Sequence, residues 1–370
     1  MKVLNIMSRF NVGGTSQWLY NLSQGLDEKG LENLLVIGDC PNGEHEDERL
    51  SLINHLKIEG LGPGASVSST LTAFFQVRRA IKRFGPDIIN THTSKAGVIG
   101  RLAAKSTLKR RKVVHTYHGH VLSGYFSKPV ETLIRYVEMT LRFCTDLYFV
   151  SGQRVMDEIV KAKILGSKPV LTVWPAVPDF KLGSRESLRK SLGIPSDAFV
   201  VGWLGRKVPI KRIDRILELA QSNPDFFFIV AGDGPRVRET YASKFDGGQL
   251  KNFIELGISS PSEIWTVSDV CLLTSDNEAM PISPIEASLS SKPVVATDAG
   301  STSEVVKNSE TGFLCGMEVQ ALKAAIKRLA DDRNLRMSMG SRAREFALEK
   351  FSPQASVARQ IEGYRSALGI

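Results

Sequence analysis

Apolar residues fall into short β-branched runs that alternate with longer segments of helical periodicity along most of the chain. In the first half, the short runs predict strands at Val3–Met7, Leu34–Gly38, Asp87–Thr91, Val113–Tyr117 and Leu147–Val150. The helical segments between them are Thr15–Lys29, Leu71–Phe84, Ala96–Lys105 and Val130–Phe143. Strands that alternate with helices indicate βαβ units, and therefore an α/β fold whose parallel sheet is covered on both faces.

The alternation pauses at residues 174–186, WPAVPDFKLGSRE, and then restarts with a second set of strands. These strands are predicted at Phe199–Leu204, Phe226–Ala231, Phe253–Leu256, Val270–Thr274, Pro293–Thr297 and Gly312–Leu314. The pattern predicts two Rossmann-like domains, residues 1–178 and 179–352, and a terminal helix in residues 353–370 that packs back on the first domain. Ligands of open parallel sheets bind outside the carboxyl ends of the strands, so an interdomain cleft between two such sheets is expected.

Composition narrows the class of protein. The 370 residues exceed what one core usually serves, and 42% apolar with 24% charged residues is ordinary for a globular chain. The four cysteines are far apart and form no C-x-x-C pair, which favours neither a zinc site nor a disulfide framework. No run reaches the length of a membrane span, and the apolar run at the start is too short for a signal peptide. A cytoplasmic protein is expected.

The formal net charge of +9 bears on partners rather than on fold. Basic clusters lie at residues 78–83 and 105–112, and a solvated surface is their more ordinary interpretation. Peripheral contact with an anionic membrane, at its inner face, is compatible with them. Nucleic-acid binding is not expected, because the basic residues are not interleaved with aromatics and no binding module is recognisable.

Two glycine-containing turns follow predicted strands and could hold a phosphate. In 11-NVGGTSQW-18, Gly13 and Gly14 let the backbone turn tightly, and Thr15 or Ser16 could cap the next helix. In 203-WLGRKVPIKRID-214, Gly205 and Arg206 follow a strand, and Lys211 is predicted to open a helix. An arginine and a lysine at one strand end can converge on one diphosphate.

Two other glycine-rich stretches are weaker candidates for phosphate binding. The run 60-GLGPGA-65 matches a dinucleotide fingerprint on paper, but no clear strand precedes it, so a flexible loop is expected. The turn 231-AGDGP-235 is expected to shape the wall of the site rather than to do chemistry.

A pair of glutamates eight positions apart, Glu278 and Glu286, flanks a predicted helix start near Pro281. Backbone N–H groups of Ile282 and Ser283 could receive a phosphate there. Glu286, one turn inside the helix, could accept hydrogen bonds from a ribose diol, and Glu278 could hold sugar hydroxyls. By itself this spacing is a weak signal, because glutamate is common and a helix start favours acids anyway.

Taken together, the glycine-rich loop, G-R-x4-K, A-G-D-G-P, E-x7-E and P-V-V-A-T-x-x-G resemble the retaining GT-B glycosyltransferases of family 4. The similarity spans nearly the whole chain. The runs 90-NTHTSKAGVIGR-101 and 114-VHTYHGHVLSGYFS-127 look like motifs of bacterial members that build surface polysaccharides.

The resemblance implies a role for each matching residue. Glu286 would bind the ribose, Glu278 would contact the donor sugar, and His118 would hydrogen-bond that sugar near the reacting carbon. Arg206 and Lys211 would neutralise the leaving diphosphate. The donor-binding set would be Gly13, Gly14, Gly205, Ala279, Met280, Pro281, Ile282, Ser283 and Glu286. A structural role for His118 stays open, and His92 and His120 are weaker candidates.

The family also implies a reaction without a protein nucleophile. A sugar would pass from a nucleotide sugar to a saccharide or lipid-linked saccharide, with no metal and no cofactor required; the resemblance favours a UDP-sugar and leaves GDP-mannose open as the donor. No D-x-D occurs in the chain. Two positions depart from the family pattern: Arg212 stands where a glycine is usual, and Ala279 where glycine is common. A sugar-nucleotide epimerase of GT-B architecture, an isomerase, is the main alternative, and a non-catalytic lipid-surface adaptor is another.

Overall fold

The computed structural model describes residues 1–107, 109, 111–119, 127–242 and 250–370. Within them the chain divides into two compact units. Unit 1 is Met1–Pro178 together with Phe351–Ile370, and unit 2 is Asp179–Lys350. The chain therefore leaves unit 1 once and returns to it for its last twenty residues.

Unit 1 is built on a parallel sheet that has seven strands within the described residues. The strands are β1 Lys2–Met7, β2 Glu32–Ile37, β3 His55–Lys57, β4 Ile88–His92, β5 Lys112–Tyr117, β6 Leu147–Val150 and β7 Val170–Thr172. Their order is β3-β2-β1-β4-β5-β6-β7. Its helices are α1 Gly14–Glu28, α2 Val67–Phe84, α3 Ser94–Lys105, α4 Lys128–Leu141, α5 Gln153–Lys161 and, after unit 2, α13 Pro353–Leu368.

Alternation along β1 assigns its side chains to two separate cores. Val3 and Met7 pack in a cluster that includes Trp18 of α1 and Tyr364 of α13. Leu4 and Ile6 belong to the opposite cluster, which α2 and α3 cover. Successive residues of a strand point to opposite faces, so a strand buried on both faces must be apolar almost throughout.

Unit 2 repeats the same design with a six-stranded parallel sheet in its described part. The strands are β8 Phe199–Leu204, β9 Phe226–Ala231, β10 Phe253–Glu255, β11 Val270–Leu273, β12 Val294–Thr297 and β13 Gly312–Cys315. The order is β10-β9-β8-β11-β12-β13. Its helices are α6 Arg185–Ser191, α7 Ile213–Ser222, α8 Val237–Thr240, α9 Pro261–Val267, α10 Ile282–Leu289, α11 Val319–Asp331 and α12 Arg333–Phe351, whose last residue belongs to unit 1.

Each sheet reverses its strand order at one place, between β1 and β4 in unit 1 and between β8 and β11 in unit 2. The loops that leave the carboxyl ends of such a strand pair splay apart and leave a crevice. The predicted α/β class with two Rossmann-like sheets is confirmed, and these two reversal points are where the candidate residues are sought.

Several short elements differ from the sequence-based prediction. The edge strands β3 and β7 have three residues each, and β3 is exposed throughout, so neither shows a buried-strand pattern. Helix α6 begins at the end of the predicted linker, where Ser184 caps it. The 60-GLGPGA-65 run does follow a strand and is packed: Leu61 is fully buried, and a Cβ on Gly60 or Gly62 would overlap neighbouring backbone. The run is therefore a packed turn, and the expectation that no strand precedes it is wrong.

Candidate functional site

The loops that follow β8 and β11 are bound to each other at the reversal point of the unit 2 sheet. The Asp276 amide donates to the Ile210 carbonyl at 2.9 Å. The Thr274 hydroxyl donates to the Lys211 carbonyl at 2.8 Å. These two hydrogen bonds fix the loops against one another. Lys211 and Glu278, which are 67 positions apart in sequence, therefore lie in one site.

An ion pair joins the two loops at the centre of this site. Lys211 Nζ lies 2.5 Å from Glu278 Oε1, and the Ser275 hydroxyl donates to the same oxygen at 2.5 Å. The Glu278 side chain is 8% exposed and that of Lys211 is 21% exposed. Hydrogen bonds between charged groups are stronger than those between neutral groups. A buried charge that lacks such a partner destabilises the fold. Two predicted residues, Lys211 and Glu278, are therefore in direct contact.

Gly300, in the loop after β12, holds the Glu278 backbone in place. Gly300 has a φ of +58°, and a Cβ there would overlap the Glu278 carbonyl oxygen. The Ser301 amide donates to that same carbonyl at 2.8 Å. Only glycine gives both the left-handed conformation and the close approach. The glycine of P-V-V-A-T-x-x-G thus supports the glutamate loop through the backbone.

The segment after β8 departs from the predicted helix start. Pro209–Lys211 form a 3-10 turn, and α7 begins at Ile213, so Lys211 does not open the helix. Between them, Arg212 has φ 54° and ψ 55°, which is the left-handed region. Its guanidinium donates to the carboxylates of Asp214 and Asp276. The position where the resemblance implies a glycine therefore does adopt a glycine-like backbone, and here two carboxylates bind the arginine that occupies it.

The two basic residues next to Gly205 differ in their surroundings. Arg206 is exposed and has no ion pair within the described residues. Lys207 is buried, and its Nζ lies 2.7 Å from Glu255 Oε1. Gly232 packs so closely on Gly205 that a Cβ would overlap the Gly205 carbonyl. Arg206 is thus a cation open to a ligand, whereas Lys207 is a structural one, and the A-G-D-G-P turn shapes the wall behind them.

Helix α10 starts beside the glutamate loop. Pro281 is its N-cap residue, and Pro284 has no N–H, so Ile282 and Ser283 carry the first free donors of the helix. Ala279 and Met280 connect this start to Glu278. Glu286, inside the helix, is 4% exposed. Burial raises the pKa of the Cys271 thiol, and the Glu286 carboxylate raises it further. The helix start offers backbone donors to an anion.

In unit 1, the glycines after β1 stand at the start of α1. Gly13 is the N-cap residue, Gly14 is the first helical residue, and no side chain caps the helix. The predicted capping by Thr15 or Ser16 is therefore wrong. The Ser16 hydroxyl is buried without a hydrogen-bond partner among the described residues. The first amides of α1 have no side-chain cap, so they could donate to an anion.

His118 follows β5 directly and belongs to a buried polar chain. Its Nε2 lies 2.7 Å from His92 Nδ1, and His92 Nε2 lies 3.1 Å from Asn5 Oδ1. The Trp18 ring contacts His118 edge to face, with centroids 4.6 Å apart. Burial lowers the pKa of His118 from 6.5 to about 3, so the imidazole is neutral at pH 7. His120, the weaker candidate, lies outside the described residues.

Three site residues were missed from the sequence: Ser275, Gly300 and Asn5. Asn5 offered a signal, since a polar residue inside an apolar strand is costly without a partner. Ser275 offered none, and Gly300 offered only its place at the end of P-V-V-A-T-x-x-G, because both act through contacts made by the fold. Across the described residues, no group of three His, Cys, Asp or Glu side chains is placed to hold a metal ion. No helix in the described ranges is long and apolar enough to cross a membrane.

Comparison with known proteins gives two family matches that together span most of the chain. Residues 12–177 match the model "Glycosyltransferase Family 4", and residues 184–346 match "Glycosyl transferases group 1". The chain belongs to the GT-B glycosyltransferases of family 4. Both sheets, with their shared strand order, are the two Rossmann-like halves of that architecture.

Curated relatives of this glycosyltransferase include enzymes of polysaccharide assembly. It is 27% identical over 285 residues to the UDP-Gal:alpha-D-GlcNAc-diphosphoundecaprenol alpha-1,3-galactosyltransferase of Escherichia coli, with 73% of each chain covered. It is 27% identical over 351 residues to the capsular polysaccharide biosynthesis glycosyltransferase CapM of Staphylococcus aureus, covering 89% of this chain and 88% of CapM. These comparisons give no support to the epimerase alternative.

Solved structures share the fold of this glycosyltransferase. Anabaena HepE in complex with UDP and glucose superposes with a TM-score of 0.82 at 21% identity, over 99% of this chain and 100% of HepE. The sucrose-phosphate synthase of Thermosynechococcus elongatus gives a TM-score of 0.84 at 17% identity, over 100% and 99% of the two chains.

Proposed function

We propose that the protein is a retaining, metal-independent glycosyltransferase that takes a sugar from a UDP-sugar and adds it to a saccharide or lipid-linked saccharide. The chief support is the contact between Lys211 and Glu278, at 2.5 Å, beside the start of α10. Such an arrangement sets a cation, a sugar-binding carboxylate and backbone N–H donors around one point of unit 2, which suits a diphosphate joined to a sugar.

Each donor-site residue has a proposed part in binding. Arg206 and Lys211 compensate the diphosphate charge, together with the amides of Ile282 and Ser283. Glu286 accepts hydrogen bonds from the ribose hydroxyls. Glu278 holds the sugar while Ser275 and Lys211 fix its carboxylate. In unit 1, Gly13 and Gly14 leave room for the donor near the α1 amides, and His118 bonds a sugar hydroxyl.

UDP is the proposed nucleotide because one similar enzyme is named for a UDP-sugar and one similar structure contains UDP. The Escherichia coli relative is named for UDP-Gal, and HepE was solved with UDP and glucose. The same Escherichia coli enzyme is named for a diphosphoundecaprenol-linked GlcNAc, and CapM for capsular polysaccharide biosynthesis. A lipid-linked saccharide acceptor and a place in surface polysaccharide assembly follow by similarity.

The proposed chemistry needs no protein nucleophile. The bond between the anomeric carbon and the β-phosphate oxygen breaks, and the acceptor oxygen bonds to that carbon on the same face. The acceptor proton passes to the departing phosphate oxygen, so UDP leaves with the proton it needs. Fixed positive charge and backbone dipoles stabilise the leaving group, which is the electrostatic route to rate acceleration.

The proposed function is tested by measuring sugar transfer from donor to acceptor. The protein is incubated with a panel of UDP- and GDP-sugars, polyprenyl-diphosphate-linked GlcNAc and EDTA, and we measure nucleotide release and the anomeric configuration of the product. We expect UDP release that requires acceptor, persists in EDTA and is lost in Lys211→Ala. The control is Lys327→Ala, which removes an exposed lysine that pairs with Asp331 on the same helix.

Other outcomes separate the parts of the proposal. An inverted anomer contradicts the retaining mechanism, and activity that EDTA abolishes contradicts metal independence. Interconversion of the UDP-sugar without acceptor favours the isomerase. Peripheral membrane contact is tested by co-sedimentation with neutral and anionic vesicles at low salt. Equal binding to both contradicts an electrostatic attraction between the basic surface and lipid.

A further inference from the structure

Three polar side chains form a continuous chain beneath the carboxyl end of the unit 1 sheet. Asn5 lies on β1, His92 is the last residue of β4, and His118 follows β5. The links are 3.1 Å from Asn5 Oδ1 to His92 Nε2 and 2.7 Å from His92 Nδ1 to His118 Nε2. Asn5 and His92 are almost fully buried. Polar groups in such a place must be paired, so the direction of each hydrogen bond matters.

The direction follows from the acceptor at one end. An amide oxygen only accepts, so His92 Nε2 carries the hydrogen in its bond to Asn5 Oδ1. Burial lowers the pKa of His92 well below 6.5, and the neighbouring His118 lowers it further. A neutral imidazole has one N–H, so His92 Nδ1 accepts and His118 Nε2 donates. His118 Nδ1 is then left with a lone pair.

That nitrogen has no hydrogen-bond partner in the part of the chain that the structure describes. His118 Nδ1 is shielded from water and makes no hydrogen bond with any described residue. Asn5 Nδ2 is likewise buried without a partner among the described residues, but other polar groups nearby are engaged elsewhere. Asn90 donates to the Tyr364 hydroxyl and accepts from Thr116, and His115 Nδ1 lies 2.8 Å from the Thr91 hydroxyl on the opposite face of the sheet. An unpaired buried acceptor is a place where a bound hydroxyl supplies the missing hydrogen bond.

We propose that Asn5 and His92 are positioning residues that fix His118 as the Nε2–H tautomer, so that its Nδ1 accepts a hydrogen bond from a hydroxyl of the bound sugar. The identity of the ligand rests on the proposed function, whereas the tautomer does not. An edge-to-face contact with Trp18 also holds the His118 ring. We call the hydrogen-bonded chain of Asn5, His92 and His118 the relay. The relay determines both where His118 lies and which of its ring nitrogens can bond a substrate.

The opposite relay is the direct competitor. If the Asn5 amide is turned, its Nδ2 donates to His92 Nε2, every bond reverses, and His118 carries its hydrogen on Nδ1. Nitrogen and oxygen of an amide are distinguished only through their partners, so the tautomer must be measured. The chain has six histidines, so long-range proton–nitrogen NMR on the histidine-labelled full-length protein can resolve each ring. Loss of a signal in His118→Gln and in His92→Gln assigns the two rings.

We expect the Nε2–H tautomer for both rings in the wild type at neutral pH. In Asn5→Ala we expect a mixture of tautomers at His118. Asn33→Ala is the matched control: Asn33 is also a buried asparagine of this sheet, bonded to Ser23 and Asp27, and does not touch the relay. The control should leave the His118 tautomer unchanged. An Nδ1–H tautomer in the wild type, or no change in Asn5→Ala, overturns the proposal.

A second readout tests the positioning role without relying on the tautomer alone. His92→Asn keeps an acceptor near the His92 Nδ1 position, whereas His92→Leu removes it. We expect His92→Leu to lose roughly tenfold in kcat/KM, the effect of one hydrogen bond, and His92→Asn to recover much of it. Equal activity in the two variants, with equal Tm, overturns the positioning role. Absence of transferase activity in the wild type would instead refute the proposed function and leave the NMR result to decide the relay.

Discussion

Lys211 and Glu278 form an ion pair of 2.5 Å at the point where the loops after β8 and β11 meet. The lysine therefore offers a diphosphate only part of its charge, because the glutamate beside it is anionic. The carboxylate in turn is held by both Lys211 and Ser275, so it has a fixed orientation toward any sugar that lies next to the phosphate. Because the two residues are paired, removing either one should affect the affinity for the nucleotide and the transfer of the sugar differently.

Glu278→Gln is expected to separate nucleotide binding from sugar transfer. Without the carboxylate, the Lys211 charge is fully available, so UDP affinity should hold or rise. Loss of a charged hydrogen bond to the sugar should lower kcat by about ten- to a hundredfold. Isothermal titration with UDP and steady-state kinetics with the UDP-sugar measure the two effects.

Lys211→Ala supplies the contrast, since it removes the cation and leaves Glu278 buried without its partner. UDP affinity should fall in this variant. If Glu278→Gln weakens UDP as much as Lys211→Ala does, the charge argument is contradicted.

At Arg212, the left-handed backbone and the ion pairs have opposite effects on stability. Arg212→Gly should relieve a conformational cost of about 1 kcal/mol while losing the contacts to Asp214 and Asp276. Those contacts are partly exposed and weak. Arg212→Ala loses them without relief. We expect the glycine variant to be more stable than the alanine variant by about 1 kcal/mol in urea unfolding. Equal stability, or a more stable alanine variant, would show that the backbone cost is absent.

Gly300→Ala should displace the Glu278 loop, because the added Cβ would overlap the Glu278 carbonyl. We expect a loss of at least about 2 kcal/mol of stability, or loss of donor binding in a protein that still folds. Gly193→Ala is the control, with φ +67° and no neighbour within 4 Å of the new Cβ. It should cost only about 1 kcal/mol. Equal effects in Tm and donor binding would contradict a supporting role for Gly300.

Stability should fall in acid partly because His118 is buried in its neutral form. Its pKa is lowered from 6.5 to about 3, so below pH 6.5 the unfolded chain binds a proton here that the folded chain does not. The free energy of unfolding therefore decreases as pH falls from 6.5 toward 3, and this contribution is absent above that window. In urea unfolding at pH 7 and 5, His118→Gln should lose less stability than the wild type. The exposed His55→Gln serves as control, and a His118→Gln slope equal to that of the wild type would refute the assignment.

The two parallel sheets and the positions of most of their strands were readable from sequence because they depend on local patterns. Strand β8 is a continuous run without polar side chains, Gly205 and basic residues follow it, and the carboxyl-end rule predicts that these residues lie at a site. Exact partners were not readable. That Lys211 pairs with Glu278 depends on how two loops fold together, and the Arg212 conformation appears in the sequence only as a missing glycine.

The wrong predictions also arise from local conformations that the sequence does not show. Lys211 looked like a helix start because its neighbours are good helix formers, but the left-handed Arg212 interrupts the chain and delays α7 to Ile213. Thr15 and Ser16 looked like caps, yet Gly13 takes the cap position and no side chain bonds there. Short edge strands such as β3 escape notice because exposed strands lack a buried face to reveal them.

The most direct measurement is a thermal-shift titration with UDP-, GDP-, ADP- and CMP-sugars in EDTA, using the wild type and Glu286→Ala. A ligand that binds only the folded state adds about 2.7 kcal/mol of stability at a hundredfold excess over its Kd. We predict an increase in Tm for UDP-sugars that is strongly reduced in Glu286→Ala. A folded protein with no shift for any nucleotide sugar, or an equal shift in both proteins, would contradict a donor site at α10.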